Sequence, residues 1–452
     1  MIDNKDSKTR WRRYMLKELE HFIWSYMAIP TLLLVSAIFT FYYKGAQFKF
    51  GAMIRCLTKR GDDRGGVSSF QSFTMALAAR VGVGSLAGVA LGIYIGGPGS
   101  IFWMWISAFI TAAASFAEST LAQLYKKRDG QLFVGGPAYY IEYGLHKKGF
   151  AIIYAIIIIL TYTFGFSAIQ ANTIATSFRD VLSIPPIVTG IALAVLSGLI
   201  IFGGASSIAN ITSKFVPIMA LFYIGIGVAV MLTNINYIPV FFTTILKDAF
   251  QPSPLIGGTV MFTIITGVKR GVFSNEAGMG SGAHAAAVTD SEYPIEQGYI
   301  QAFGVYITTL LICTITAFLI MVTDAISVAT NHSNGIEMTQ YALTVLFGPI
   351  GGIILSIAIF FFAFSTILTG YFYGESNVKY LFRNEKILLP IRVLVLIVIT
   401  IAACGSASLI WSLVDIGVGL TATINVIALC YLAPEVKKYL VKLPNNKRSS
   451  RK

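Results

Sequence analysis

Long apolar stretches, separated by short polar or glycine-rich joints, divide this chain into eleven segments: roughly 22–43, 69–95, 99–124, 150–177, 185–203, 213–233, 254–287, 298–323, 349–375, 388–405 and 409–432. Runs such as AIIYAIIIIL (151–160) and FVPIMALFYIGIGVAVML (215–232) show no polar face. About 20 apolar residues suffice for a helix to cross the hydrocarbon core. A backbone in lipid must satisfy its own hydrogen bonds, so the pattern predicts an all-α integral membrane bundle. The alternating segments of about ten residues that mark a β-barrel are absent.

Two segments are interrupted. Residues 78–92 read AARVGVGSLAGVALG and residues 267–287 read GVKRGVFSNEAGMGSGAHAAA. Each joins a basic residue to closely spaced glycines: Arg80 with Gly82, Gly84 and Gly88, and Arg270 with Gly271, Gly278 and Gly280. Each opens a group of five spans, 69–233 and 254–432, behind one extra N-terminal span at 22–43. Five is odd, so the groups are expected to lie in opposite orientations, as in carriers built from inverted repeats. Glycine lets a helix unwind. The freed N–H groups suit an anion such as a carboxylate, and the freed carbonyls suit a small cation. Such backbone is tolerated only around a cavity. The plainer reading is that these glycines let helices pack closely. The charges of the second break, Lys269, Arg270 and Glu276, read as a neck on the cytoplasmic side of a midplane site.

Composition supports the membrane reading. Of 452 residues, 55% are hydrophobic and 12% charged, about half the charge of an average soluble domain. The net charge of +13 does not indicate nucleic acid, because the basic residues gather in loops and tails. They lie at Lys44, Lys49, Arg55, Lys59, Arg60 and Arg64, at Lys126, Lys127, Arg128, Lys147 and Lys148, at Lys379, Arg383, Lys386 and Arg392, and in the tail 433–452. The alternate loops near 96, 324–348 and 406 carry none. The positive-inside rule puts the basic loops in the cytoplasm, and eleven spans then put the N-terminus outside. The basic cluster of the tail 1–21 opposes that placement, and the tail is expected to form an amphipathic surface helix. Cys56, Cys313, Cys404 and Cys430 show no metal spacing. No catalytic motif appears, so no enzyme is expected. A channel would want a continuous pore, which two breaks in one chain disfavour.

These breaks, together with GGPGSIFWMW (96–105), FAESTLAQLYKKRDGQLFVGGPAYYIEYGL (116–145), IQANTIA (169–175) and FAFSTIL (362–368), make the chain resemble the alanine/glycine:cation symporter family, within the group sharing the leucine-transporter fold. The resemblance covers about residues 25–435. It implies a ten-helix inverted repeat after one extra helix, and sodium-coupled uptake of small neutral amino acids across the plasma membrane. It implies substrate contacts at Val83, Gly84, Ser85, Gln170, Asn172, Phe273 and Asn275. Gln170 and Asn172 are expected to face the pocket. A sodium site would join the carbonyls of Ala78 and Val81 to the hydroxyls of Ser365 and Thr366. On their own residues, Ser365 and Thr366 suit either a hard cation or a bond back to their own helix.

The chain departs from the family pattern at three places. Ser85 and Thr308 stand where the family usually has Asn and an acidic residue, which weakens a second cation site and leaves proton coupling as an alternative. Gly370 stands where many members have Trp. That predicts a pocket larger by an indole and glutamine as leading substrate, with Tyr371 or Phe372 partly refilling it. Unpaired charge within lipid is costly. Arg80 is therefore expected to pair with Glu118, and Lys269 or Arg270 with Glu276, either as gates or as static pairs. Glu118 or Glu276 is also a candidate proton carrier. Asp415 is a further charge within a span.

Overall fold

A computed structural model describes residues 14–59, 67–130, 132–251, 259–327, 335–382 and 384–440. Arg60, Arg64, Arg383, the start of the expected span 254–287, most of the N-terminal basic cluster and the tail beyond 440 lie outside them. The helices are α1 (Tyr14–Tyr42), α2 (Phe50–Thr58), α3 (Ser69–Arg80), α4 (Gly84–Gly96), α5 (Ser100–Leu124), α6 (Pro137–Leu145), α7 (Lys148–Leu182), α8 (Pro186–Ile201) and α9 (Gly204–Thr233). After them come α10 (Ile238–Phe250), α11 (Val260–Asn275), α12 (Ser281–Ala287), α13 (Pro294–Val322), α14 (Ile336–Phe347), α15 (Pro349–Phe382), α16 (Leu388–Ala403) and α17 (Ala407–Tyr439). One short antiparallel hairpin, β1 (Lys127–Asp129) with β2 (Leu132–Val134), follows α5.

Seven of the described helices are long and apolar enough to cross a membrane, or eight if the bent pair α3–α4 is one span. The apolar helices α8 and α16 are shorter. The outward faces of the apolar helices are covered with Leu, Ile, Val and Phe, among them Leu199 of α8, Ile218 and Leu221 of α9, and Ile401 of α16. Exposed aliphatic surface on this scale suits lipid and would aggregate in water. Polar side chains point inward instead: Arg80, Glu118, Glu276, Asn275, Asn425 and Asp415 are all buried. The molecule is inside-out relative to a soluble bundle, and that arrangement concentrates its chemistry at the centre.

Both expected interruptions are present. α3 and α4 meet at an angle of 51° across Val81–Val83. α11 stops at Asn275, and α12 starts only at Ser281. Between them Glu276, Gly278 and Gly280 take left-handed backbone angles, with φ of 56°, 78° and 82°. Glycine adopts that region freely, which is why the second break is built on GMG.

α11 runs alongside α5 in the same direction, Gly267 against Ser100 and Gly271 against Met104 and Ser107. Lys269 and Arg270 therefore sit toward the Gly97–Ser100 turn. α12 ends at the opposite face, where Ala287 packs on Gly135 just beyond the Lys126–Arg128 loop. This corrects the expected neck: the Lys269–Arg270 charges lie at the end of the bundle away from those basic residues.

Candidate substrate and ion site

The two breaks face each other. A Cβ on Gly84 would stand 2.9 Å from the Phe273 ring and 3.3 Å from Ser274 Cα. Ser85 Oγ lies 2.8 Å from Ser274 Oγ, which in turn is 3.1 Å from Cys313 Sγ. Gly84 is needed because any side chain would separate the two unwound segments.

Around Gly82 the expected residues converge. Thr366 Oγ1 donates to the Ala78 carbonyl at 2.7 Å, from α15 to α3. Gln170 Oε1 accepts the Val83 N–H at 3.0 Å. A Cβ on Gly82 would run into Thr366 Oγ1 and come within 3.1 Å of Gln170 Oε1. An expected sodium ligand and an expected substrate ligand thus flank one glycine. Val81 is buried at the same turn, its N–H bonded to the Leu77 carbonyl at 2.7 Å. Ser365 is differently placed, because its hydroxyl bonds the Phe362 carbonyl of its own helix at 2.9 Å. Asn275 is turned to α13, where Nδ2 donates to Thr309 Oγ1 at 3.0 Å, while its Oδ1 caps Ala277 N–H. Thr308 Oγ1 bonds back to the Gly304 carbonyl.

Asn172 does not face the same way as Gln170. Its Nδ2 donates to the carbonyls of Ala402 and Gly405 at 3.0 Å, closing the end of α16. Two residues turn a helix by about 200°, so the pair cannot share a face. Gly370 also departs from expectation. A Cβ there would lie 3.0 Å from the Tyr162 carbonyl, and one on Gly374 would overlap the Thr163 side chain. The two glycines form a small-residue seam that lets α15 press on α7. The room an indole would need is filled by backbone. Tyr371 is turned away to Glu375 and to Arg392 Nε, the latter at 2.9 Å.

An aromatic and ionic closure covers one side. Phe273 stacks on Phe166 with centroids 5.2 Å apart and contacts Trp411 at 5.0 Å. The Arg270 guanidinium lies over Trp411 at 5.1 Å and pairs with Asp415 at 2.8 Å. Lys269 joins Asp415 at 2.7 Å and also pairs with Glu20 of α1. Trp24 Nε1 donates to the Asp415 carbonyl. Outside this closure is a cavity of about 190 Å³, lined by Lys17, Glu20, Trp24, Lys269 and Arg270 among others.

Glu276 takes no part in that network, contrary to the expected pairing. It lies six residues beyond Arg270, about 9 Å along the axis, and the left-handed turn directs it to Ser281, whose hydroxyl it accepts at 2.8 Å. Arg80 does not pair with Glu118 either. Its guanidinium donates to the Gln301 carbonyl at 2.8 Å and to Ser115 Oγ at 3.3 Å. Glu118 Oε2 instead accepts from Gly280 N–H at 2.9 Å and Asn425 Nδ2 at 2.8 Å.

Sequence reasoning missed Glu20, Trp411, Phe166 and Asn425. Asn425 carried a signal, as an amide within a mostly apolar span that also holds Asp415.

Interrupted helices that meet across buried polar groups inside a lipid-covered bundle define a membrane carrier rather than an enzyme. Residues 9–452 match the sodium:alanine symporter family, and the chain belongs to it. It is a multi-pass protein of the cell membrane. It is 39% identical over 432 residues to a probable sodium/glutamine symporter, GlnT, of Bacillus subtilis, covering 93% of this chain and 90% of the relative. It is 40% identical to the amino-acid carrier protein AlsT of the same organism, over 91% of this chain and 88% of that one. The sodium/proton-dependent alanine carrier protein of Bacillus sp. strain PS3 is 38% identical, over 84% and 88%.

Proposed function

We propose that the chain is a sodium-coupled symporter that imports a small neutral amino acid by alternating access. The observation that carries this is the convergence at Gly82, where the Thr366 hydroxyl meets the Ala78 carbonyl beside the Gln170–Val83 bond. In this reading a sodium ion takes the carbonyls of Ala78 and Val81 with the hydroxyls of Thr366 and Ser365. Ser365 turns from its own helix to join them. The substrate carboxylate takes the N–H groups of Val83 and Gly84 in place of Gln170 Oε1. Phe273, Ser85 and Asn275 border the substrate, and Asn172 holds the fourth span to α16.

Ten of eleven spans form two inverted repeats, 69–233 and 254–432, and 22–43 is an added span within α1, which supports the closure through Glu20 and Trp24. The Lys126–Arg128 loop faces the cytoplasm, so the Arg270–Asp415 closure is the outer gate. The substrate stays at the level of alanine, glycine or glutamine. Relatives named for glutamine and for amino-acid or alanine carriage are equally similar, and the geometry at Gly370 removes the argument for an enlarged pocket.

The test is uptake of labelled alanine and glutamine into proteoliposomes under a sodium gradient, a proton gradient or neither. Sodium-driven uptake is expected. Uptake driven by protons alone would reject the sodium reading.

A further inference from the structure

Beside the breaks, toward α12, lies a buried polar cluster that the sodium and substrate contacts leave unused. Among the described residues its one fixed cation is Arg80, 1% exposed, held between Gly282 of α12 and Gly304 of α13, where a side chain would collide with the guanidinium. Its carboxylates are Glu118 and Glu276, both fully buried. Both hold the same unwound stretch. Glu118 accepts from Gly280 N–H. Glu276 begins the stretch and accepts from Ser281, which ends it.

The charges do not balance. The other titratable groups facing the pair are Tyr140 of α6, Tyr154 and Tyr162 of α7 and Tyr373 of α15. Phenols are neutral at physiological pH. His284 of α12 is neutral too. Asn377 Nδ2 donates to the Tyr373 carbonyl at 2.8 Å, which fixes that amide as the donor toward His284 Nε2 at 2.7 Å. His284 Nε2 is therefore an acceptor, and Nδ1 carries the hydrogen toward the Ser281 carbonyl. Among the described residues, and before sodium binds, one positive charge thus faces two potential negative ones, all three buried. A second, independent sign is that Glu118 Oε1, Glu276 Oε1, Arg80 Nε and the Tyr373 hydroxyl have no hydrogen-bond partner, although all are buried. An uncompensated buried charge is strongly disfavoured, and neutralisation is the usual outcome.

We propose that Glu118 and Glu276 share one exchangeable proton, balanced against Arg80, and that it is exchanged with water when substrate binding rearranges residues 276–281. The chemistry is one O–H bond formed or broken on a carboxylate, with hydronium as the other partner. The two carboxylates meet the same stretch at adjacent residues, Gly280 and Ser281. The site stands on its charge count. Its coupling to substrate rests on the carrier reading above.

The experiment uses the purified full chain in lipid nanodiscs. Infrared difference spectra across about pH 5 to 9, the range that brackets perturbed carboxyl groups, are compared for wild type, Glu118→Gln and Glu276→Gln. Wild type is expected to show the carbonyl stretch of one protonated carboxyl. Either single substitution should abolish it, because the remaining carboxylate balances Arg80, and thermal melting verifies that both variants are folded. The double variant is expected to melt well below either single one, since Arg80 is then alone. Absence of the band in wild type, or its persistence in either single variant, overturns the site. Adding alanine or glutamine in saturating sodium to weakly buffered protein should then release or take up as much as one proton per chain, and neither variant should do so. Labelled substrate that binds with no proton change overturns the coupling. If no substrate binds, the carrier reading fails, and the infrared band still decides the proton site.

Discussion

The Thr366 hydroxyl reaches from α15 to the Ala78 carbonyl at 2.7 Å and so joins an unbroken helix to the end of α3 at the first break. The hydroxyl's one proton has a second acceptor in reach within its own helix, the Phe362 carbonyl at 2.9 Å. In the proposed sodium site this hydroxyl keeps its proton on a carbonyl and offers its lone pairs to the cation. Thr366→Val keeps the shape and removes the oxygen. The sodium concentration for half-maximal uptake is expected to rise tenfold or more, consistent with about 1–3 kcal/mol for a buried polar contact. Thr366→Ser should stay within a few-fold of wild type. Sodium titration of uptake by the two variants checks this.

Gln170 and Asn172 are two residues apart but perform separate tasks. Gln170→Ala is expected to tighten substrate binding by a few-fold at little cost in melting temperature, because the carboxylate no longer has to displace Gln170 Oε1 from Val83 N–H. Asn172→Ala should lower the melting temperature and leave affinity nearly unchanged, because it uncaps α16. Paired thermal melts and binding isotherms separate the two. The reverse pattern would place Asn172 in the pocket.

Asp415 accepts from both Lys269 and Arg270. Asp415→Asn leaves two cations buried with one remaining carboxylate, Glu20. A loss of about 3–5 kcal/mol is expected, the range for breaking a buried pair from one side. Glu20→Gln should cost less, because Lys269 keeps Asp415. Melting temperatures of the two variants test the ranking.

Cys404, at the turn between α16 and α17, and Cys430, near the other end of α17, are exposed, whereas Cys56 and Cys313 are buried. With the basic loops in the cytoplasm, this turn faces outward. A membrane-impermeant maleimide should label Cys404 on intact cells, and Cys404→Ser should abolish that labelling. Labelling that depends on Cys404 and appears only after permeabilisation would reverse the orientation.

Gly370→Trp is expected to abolish accumulation of folded protein rather than shift substrate preference, because the Tyr162 carbonyl occupies the space. Gly370→Ala should be destabilising by about 1–3 kcal/mol, as for overpacking in a tight core. A folded tryptophan variant with altered substrate choice would restore the pocket role.

The helical membrane class and both breaks were legible because apolar runs and clustered glycines are properties of neighbouring residues. Thr366 and Gln170 were reached through family motifs, and the meeting at Gly82 is a three-dimensional fact that motif spacing does not contain. Ion-pair partners were misjudged for a related reason. Arg270 and Glu276 are near in sequence, but the left-handed turn at Glu276 sends them apart, while Asp415 and Glu20 come from helices far along the chain. Gly370 was misread because a missing side chain looks like space until the facing backbone is known.

The most direct measurement is equilibrium binding of labelled alanine to the purified protein in sodium and in potassium, for wild type and Thr366→Val. If the facing breaks hold substrate and sodium together, wild type binds in sodium and not in potassium, and the variant needs tenfold or more sodium for the same occupancy. Equal binding in both salts, or a variant indistinguishable from wild type, would contradict that site.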